Sequence, residues 1–342
     1  MAAGPASATA MPRRTAAGPR HAAGGRRGLT SRPWWPWAKR GLTLAFFAFV
    51  TYLLVTQART VEWTEVTASV KKLPAASLWA AAALAAASYA LYSCFDLLGR
   101  HSTGHPLGPR TVMGVNFVSY AFNLNLGSLV GGVAFRYRLY ARLGLDNEVI
   151  TRVLSISMLT NWLGYLLLAG TVFLLWPLAP PPDWKLDGRA LQVLGGVLLA
   201  AAVAYVALCA FSPQRSWTLR GHRLDLPSGR FALLQLAMSS ANWLLMATLV
   251  FVLLQQRIDF PTVLGVLLVA AIAGVITHVP AGLGVLEAVF VALLSHELPK
   301  HELLGALLAY RALYYLGPLA VATLAYLAME LKARRLAAPA RG

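Results

Sequence analysis

The segment Ile276-Thr-His-Val-Pro-Ala-Gly-Leu-Gly-Val-Leu-Glu287 decides how the rest of the chain is read. It lies inside an apolar run from Thr262 to Leu294 and breaks it with Pro280, Gly282 and Gly284. A carboxylate, Glu287, follows three residues after the last glycine. Proline removes a backbone donor and glycine loosens the helix, and in hydrocarbon no water satisfies the freed groups. Such a break is tolerated where it is buried in protein or lines a cavity, and an intramembrane carboxylate marks a functional site by default. The segment therefore predicts part of a polar path through a membrane protein.

The whole chain agrees. Of its 342 residues, 58% are hydrophobic, against about 45–50% in soluble domains. The net charge of +17 does not point to nucleic acid, because the basic residues collect in the N-terminal tail and at the ends of apolar segments. That is the pattern of membrane orientation and anionic-lipid contact. The two cysteines, Cys94 and Cys209, sit in apolar runs with no CxxC or zinc spacing, so they read as small apolar fillers.

Outward from the break, residues 1–40 carry eight basic residues and no acid, which predicts a disordered cytoplasmic tail. Arg26-Arg27 lies too far from an apolar run to be a twin-arginine signal. Trp34, Trp35 and Trp37 suit an interfacial anchor. Apolar spans follow at 41–57, 76–98, 149–176, 190–211, 231–255 and 303–329, and residues 333–342 form a short cytoplasmic tail. Two further apolar segments are interrupted. One is 111–142, with Asn116, Asn123, Asn125, Gly127, Gly131 and Gly132. The other is 262–296.

Charge separates two topologies. If all eight segments cross and the N-terminus is inside, the Arg-rich loop 212–230 and Arg136, Arg138 and Arg142 lie outside, against the positive-inside rule. If 111–142 and 262–296 are re-entrant hairpins, every strongly basic loop and both termini are cytoplasmic. The expected fold is therefore an all-α polytopic bundle of six full spans and two re-entrant hairpins, one from each face, with eight full spans as the alternative. Broken helices in opposite orientation are common in transporters built from inverted repeats.

Three stretches in order, Gly131-Gly-Val-Ala-Phe-Arg-Tyr-Arg-Leu-Tyr140, His278-Val-Pro-Ala-Gly-Leu-Gly-Val-Leu-Glu287 and Tyr310-Arg-Ala-Leu-Tyr-Tyr-Leu-Gly-Pro318, resemble the lysylphosphatidylglycerol synthase transmembrane (flippase) family. This family comprises the membrane half of MprF-type proteins and stand-alone YbhN-like inner-membrane proteins. The resemblance runs from about residue 40 to 332, with Ala281 where the family commonly has glycine. It implies a flippase-like domain over 41–332 in a bacterial inner membrane, a phospholipid partner with an anionic headgroup, and no synthase reaction, since that activity belongs to a separate soluble domain.

Several residues are candidates for headgroup binding. Arg136 and Arg138 alternate with Tyr137 and Tyr140; they fit either bidentate phosphate capture or a snorkelling anchor. Arg311 lies too deep in its span to be a casual flank and is a candidate partner of Glu287, as a structural pair or as a headgroup- or proton-responsive one. Tyr310 and Tyr314 would flank it one turn apart. His278 reads as a structural hydrogen-bonder or a proton relay. Asn123 and Asn125 read as partners for loosened backbone or as ligand contacts. Asn161 and Asn242 read as helix-packing glue, and Asp96 as a partner for a basic residue near the cytoplasmic end.

There is no Gly-Lys dipeptide for a P-loop, no HExxH and no Gly-x-Ser-x-Gly, so the sequence calls for no enzyme, metal or cofactor. The expected function is a phospholipid translocase driven by an ion gradient or by downhill lipid flow. A secondary transporter of another amphiphile and a non-transporting scaffold for lipid-synthesis enzymes are the alternatives. Oligomeric state is open.

Overall fold

The structure, a computed structural model, describes residues 71–176, 188–213, 216–219, 222–277 and 282–337, together with residues 41, 52, 64 and 68. They belong to one compact unit, Tyr52–Gly342; of Met1–Thr51 only Gly41 is described. The basic tail, most of the first expected span at 41–57, the C-terminal residues 338–342, His278 and Pro280 lie outside the described residues.

The helices in chain order are α1 Ala75–Ser93, α2 Phe95–Thr103, α3 Pro109–Leu126, α4 Phe135–Arg142, α5 Asn147–Leu175, α6 Gly188–Phe211, α7 Gly229–Leu253, α8 Phe260–Thr277, α9 Val285–Leu294, α10 Lys300–Tyr310 and α11 Gly317–Ala337. Two stretches are π-helical, Ser128–Ala134 before α4 and Arg311–Leu316 between α10 and α11. A short antiparallel hairpin, β1 Ser216–Leu219 with β2 His222–Asp225, lies in the Arg-rich loop that the sequence left unstructured. The bundle is otherwise helical, as expected of a polytopic membrane protein.

Among the described residues, six helical stretches are long and apolar enough to cross a membrane: Ala75–Thr103, Asn147–Leu175, Gly188–Phe211, Gly229–Leu253, Phe260–Thr277 and Lys300–Glu330. Five coincide with expected full spans. The sixth, α8, was expected to be one arm of a hairpin. Its 18 residues rise about 27 Å at 1.5 Å each, close to the thickness of a bilayer core. The chain then turns back through the 10-residue α9, which packs against α8. The second hairpin is thus lopsided, one full-length arm and one short arm, because the Pro/Gly break falls late in the apolar run.

The ends of the bundle can be identified from side-chain contacts. Ser77 at the start of α1 donates to Gln255 Oε1 beyond the end of α7 (3.3 Å). At the other end, the His101 ring of α2 meets Phe231 of α7. The first hairpin, α3 with α4, is rooted between α2 and α5 at the His101/Phe231 end. The second, α8 with α9, is rooted between α7 and α10 at the Ser77/Gln255 end. The two hairpins therefore enter from opposite ends, as the charge pattern required. Arg142, at the root of the first hairpin, pairs with Glu330 of α11 (Nη2 to Oε1, 3.1 Å), so the last span ends on the same side.

The first hairpin closes through Gly127 (φ 85°). Its arms touch backbone to backbone. A Cβ added to Gly131 would lie 2.1 Å from the Asn123 nitrogen and 2.2 Å from the Phe122 carbonyl carbon, so no side chain fits there. Phe122 stacks on Phe135 across the hairpin (4.2 Å), and Tyr326 of α11 packs edge-on against Phe135 (5.5 Å).

A buried polar cluster fixes this hairpin to α2 and α5. Arg136 is only 3% exposed. It does not snorkel to the surface: Nη1 lies 3.3 Å from Asp96 Oδ1 and 3.1 Å from Ser157 Oγ, and Nη2 donates to Asn116 Oδ1. Tyr140 donates to Asp96 Oδ2 (2.8 Å), and Asn116 Nδ2 donates to the Tyr92 carbonyl (2.7 Å). Arg138, in the same helix, is half-buried beside Tyr326.

Removing one partner of a buried ion pair strands the other and costs about 3–5 kcal/mol. Arg136→Met should therefore lower the thermal stability of the purified protein sharply, and adding Asp96→Leu should restore most of the loss; an undiminished Arg136→Met protein would show that the pair does not hold the hairpin. For topology, in a background lacking Cys94 and Cys209, cysteines at Leu143 and Arg230 should react with an impermeant maleimide from one side of the membrane and a cysteine at His296 from the other. Reaction of positions 143 and 296 from the same side would contradict the opposed hairpins.

Candidate functional site

The break that opened the sequence reading forms the turn between α8 and α9. Gly282 (φ 56°) and Gly284 (φ 74°) both take left-handed backbone that side-chain-bearing residues resist. Gly284 caps α9 and puts Glu287 in its first turn, where the helix N-terminus favours an anion.

Glu287 meets Arg311 in a two-pronged pair: Nε donates to Oε1 and Nη2 to Oε2 (3.0 Å). Arg311 Nη2 also donates to the Gly282 carbonyl (2.9 Å), and its guanidinium lies 5.3 Å from the centre of the Tyr315 ring. Arg311 is 7% exposed, and the Glu287 side chain 15%. One arginine thus ties down the carboxylate and the loosened backbone of the same break. Two of the three break residues, Gly282 and Gly284, take part in this geometry; Pro280 and His278 are not described.

Arg311 opens a π-helical turn, Arg311–Leu316. In a π turn the backbone bonds shift to i→i+5, which leaves carbonyls to be met from outside, and such turns recur at functional sites. Here the partners are visible. Tyr89 of α1 donates to the Tyr314 carbonyl (3.0 Å), and Asn125 of the first hairpin donates to the Tyr315 carbonyl (3.3 Å) and to its own helix at Ala121 (2.8 Å). Asn125 therefore joins the tip of the first hairpin to the last span. Asn123 serves through its backbone, against Gly131, and through its side chain, which fills the space beside Gly132.

Tyr310 and Tyr314 stack face to face (5.3 Å, 13°), buried at 2% and 0% exposure, so they are not interfacial aromatics. The Tyr314 hydroxyl lies 2.7 Å from Ser88 Oγ and 3.0 Å from the Tyr120 hydroxyl, and Ser88 donates to Asn242 Oδ1 (2.7 Å). Each hydroxyl has one proton. Since Ser88 spends its proton on Asn242, Tyr314 donates to Ser88, and the Tyr120 proton has the Tyr314 oxygen and the Met246 sulfur (3.9 Å) as its acceptors. Tyr120 stacks on Tyr92 (3.5 Å, 13°), whose neighbour is Arg136. Arg311 and Arg136 are thus joined by a column of tyrosines.

The sequence reading named Arg136, Arg138, Glu287, Arg311, Tyr310, Tyr314, Asn123, Asn125 and His278. The structure brings Glu287, Arg311, Tyr310, Tyr314 and Asn125 into one region and places Arg136 at the other end of the column. It adds Ser88, Tyr89, Tyr92, Tyr120 and Tyr315. Asn242, read as helix glue, joins α7 to α1 through Ser88 as part of this network, whereas at Asn161 the backbone carbonyl does the gluing, accepting from Ser239 (2.9 Å) and Trp243 (3.3 Å). The missed residues left one signal: hydroxyl side chains within otherwise apolar spans, with Tyr89 and Tyr92 one turn apart.

Residues 41–322 match the family model for the lysylphosphatidylglycerol synthase TM region. The chain is 48% identical over 309 residues to the inner membrane protein YbhN of Escherichia coli, covering 90% of this chain and 97% of that one. It is 32% identical over 278 residues to an uncharacterized Synechocystis protein, covering 80% and 85%. A phosphatidylglycerol lysyltransferase of Staphylococcus haemolyticus is 27% identical over 214 residues, 60% of this chain but only 24% of that protein. This chain is an integral membrane protein of the lysylphosphatidylglycerol synthase transmembrane-region family.

Proposed function

We propose that the protein is a phospholipid translocase of a bacterial inner membrane, with its termini in the cytoplasm and with Arg311 as the residue that receives the lipid phosphate. The supporting observation is the buried two-pronged Glu287–Arg311 pair at the turn of the second hairpin. A planar guanidinium holds a phosphate through the same two parallel hydrogen bonds that it gives a carboxylate. Glu287 therefore occupies the place a phosphate would take, and a headgroup competes with it for the same donors. Gly282 and Tyr315 keep the guanidinium in position during the exchange.

The exchange leaves the carboxylate without its cation. An unpaired carboxylate in a low-dielectric site must be met by water or another donor, so movement of the headgroup has to bring one to Glu287. The inner-membrane setting is that of the Escherichia coli relative. Lysylphosphatidylglycerol chemistry belongs to the synthases of the family, and the reading for this chain concerns movement of lipid alone.

The test is reconstitution into liposomes containing fluorescent phospholipid, with the fraction bleached by an external reductant measured over time. Wild-type protein should equilibrate the label between leaflets. Glu287→Gln and Arg311→Ala should each slow it by about tenfold or more, the loss of one strong charge-assisted contact. Arg311→Lys should also be slow, since an ammonium lacks the fork. Wild-type rates in all three variants would remove the site. No movement of any lipid across a panel would remove the translocase, and the scaffold reading would replace it.

A further inference from the structure

Three arginines stand on α4, and they do not face the same way. Arg136 and Arg138 are two residues apart, about 200° around a helix. Arg136 reaches Asp96 of α2 and Ser157 of α5, whereas Arg138 stands beside Tyr326 of α11. Arg142 lies one turn beyond Arg138 on the same face and meets Glu330 of α11. The Arg-Tyr-Arg spacing thus commits Arg136 to holding the hairpin and turns Arg138 and Arg142 toward the last span.

There two i, i+4 pairs face each other, Arg138 and Arg142 on α4 against Tyr326 and Glu330 on α11. Glu330 accepts from both Nη atoms of Arg142 (Nη2 to Oε1, 3.1 Å). The charges of Arg138, Arg142 and Glu330 all act on the Tyr326 hydroxyl. Tyr326 is fixed in place: it is buried, and its ring packs edge-on against Phe135 (5.5 Å) and Phe122 (6.3 Å). The outer pair is open, with the Arg142 side chain 44% exposed and that of Glu330 11%. An exposed ion pair contributes little net stability, so this carboxylate is released at low cost. Two guanidiniums stand against one carboxylate, so these four side chains together carry a positive charge.

We propose that Arg138, Arg142 and Tyr326 form a second phosphate site, for a phospholipid in the leaflet at this end, with Glu330 as the carboxylate that the headgroup displaces. A phosphate takes from Arg142 the same two parallel hydrogen bonds that Glu330 takes, and adds the guanidinium of Arg138. Position favours a lipid over free phosphate. The last membrane-crossing stretch ends at Glu330, the depth at which hydrocarbon gives way to headgroups, and Lys332, Arg334 and Arg335 follow in the sequence. This deepens the translocase reading and rests on it for one point, that a lipid captured here goes on to Arg311.

The probe is dihexanoyl phosphatidylglycerol, titrated calorimetrically into the full chain in detergent. A Glu287→Gln/Arg311→Ala background removes the deeper site, so that only this one is read. Arg138→Gln/Arg142→Gln should weaken binding by about tenfold or more. Glu330→Gln should tighten it by about tenfold, because the competing carboxylate is gone; a merely structural ion pair predicts no such gain. Dihexanoylglycerol, which lacks the phosphate, should not bind, and inorganic phosphate should compete poorly. Where the background variant fails to fold, the same opposite effects are read in the otherwise unaltered chain. Equal binding by all variants, weaker binding by Glu330→Gln, or inorganic phosphate as strong as the lipid would overturn the proposal. In liposomes, Arg138→Gln/Arg142→Gln should move lipid about tenfold more slowly. Binding with these opposite effects but no lipid movement by wild type would keep this site and remove the translocase reading; wild-type movement and unchanged binding in the double variant would do the reverse.

Discussion

The constraint on which this structure depends is that a helix broken within hydrocarbon must find partners for its freed backbone inside the protein. Both hairpins and the last span meet it in the same way. Gly282, in the turn of the second hairpin, has its carbonyl held by Arg311. The π turn that begins at Arg311 has carbonyls held by Tyr89 and Asn125. Asn125 belongs to the first hairpin, which is itself held by Arg136, Asn116 and Asp96. The breaks at Gly282 and at the π turn are thus each met by a side chain, Arg311 and Asn125, that stands at or next to another break. The polar interior is therefore one connected object, and its irregular turns stabilise one another across the bundle.

The two arginine–carboxylate pairs are built differently. Around Asp96 and Arg136, buried Ser157 and Asn116 each accept from the guanidinium and buried Tyr140 donates to the carboxylate. Buried pairs of this kind contribute little net stability but are costly to break, so they fix geometry. At the second pair the Glu287 carboxylate is partly exposed, and Arg311 also meets a backbone carbonyl and a ring face. The second pair is the one whose carboxylate can be exchanged for another anion at lower cost, which is why the functional reading rests on it.

What the sequence revealed followed its local signals. Pro280, Gly282 and Gly284 in an apolar run located the break, a deep arginine and a lone carboxylate named each other, and the Arg-rich loops separated opposed hairpins from eight crossings. Asp96 was legible as an acid awaiting a basic partner. The rest depends on contacts between residues far apart in the chain. Ser88 and Tyr314 are separated by 226 residues, so no local spacing connects them. Arg136 read equally as a phosphate holder or a surface anchor, because positive-inside logic puts arginines at helix ends; only Asp96, Asn116 and Ser157 closing around it from three helices exclude the anchor. The unequal arms of the second hairpin, α8 and α9, were not part of the sequence reading, which gave only its outer bounds, 262–296.

Depth along the bundle links these parts to transport. Taking the Arg142–Glu330 contact as a common level and about 1.5 Å of rise per residue, Arg136 lies about 9 Å in, and Arg311 lies about 28 Å in. Tyr120, counted from the start of α3, is at about 16 Å, and Tyr314 at about 24 Å. Successive polar groups are therefore within about 8 Å of each other across most of a hydrocarbon core about 30 Å thick. The dominant barrier to lipid exchange between leaflets is the desolvation of the headgroup; under the proposed translocase function, a column spaced like this would divide that one barrier into several shorter transfers between neighbouring donors. The ends of the column carry opposite charges in pairs and its middle carries only neutral hydroxyls and an amide, so under that proposal a charged headgroup would be held least tightly at the midpoint, where it must not be trapped.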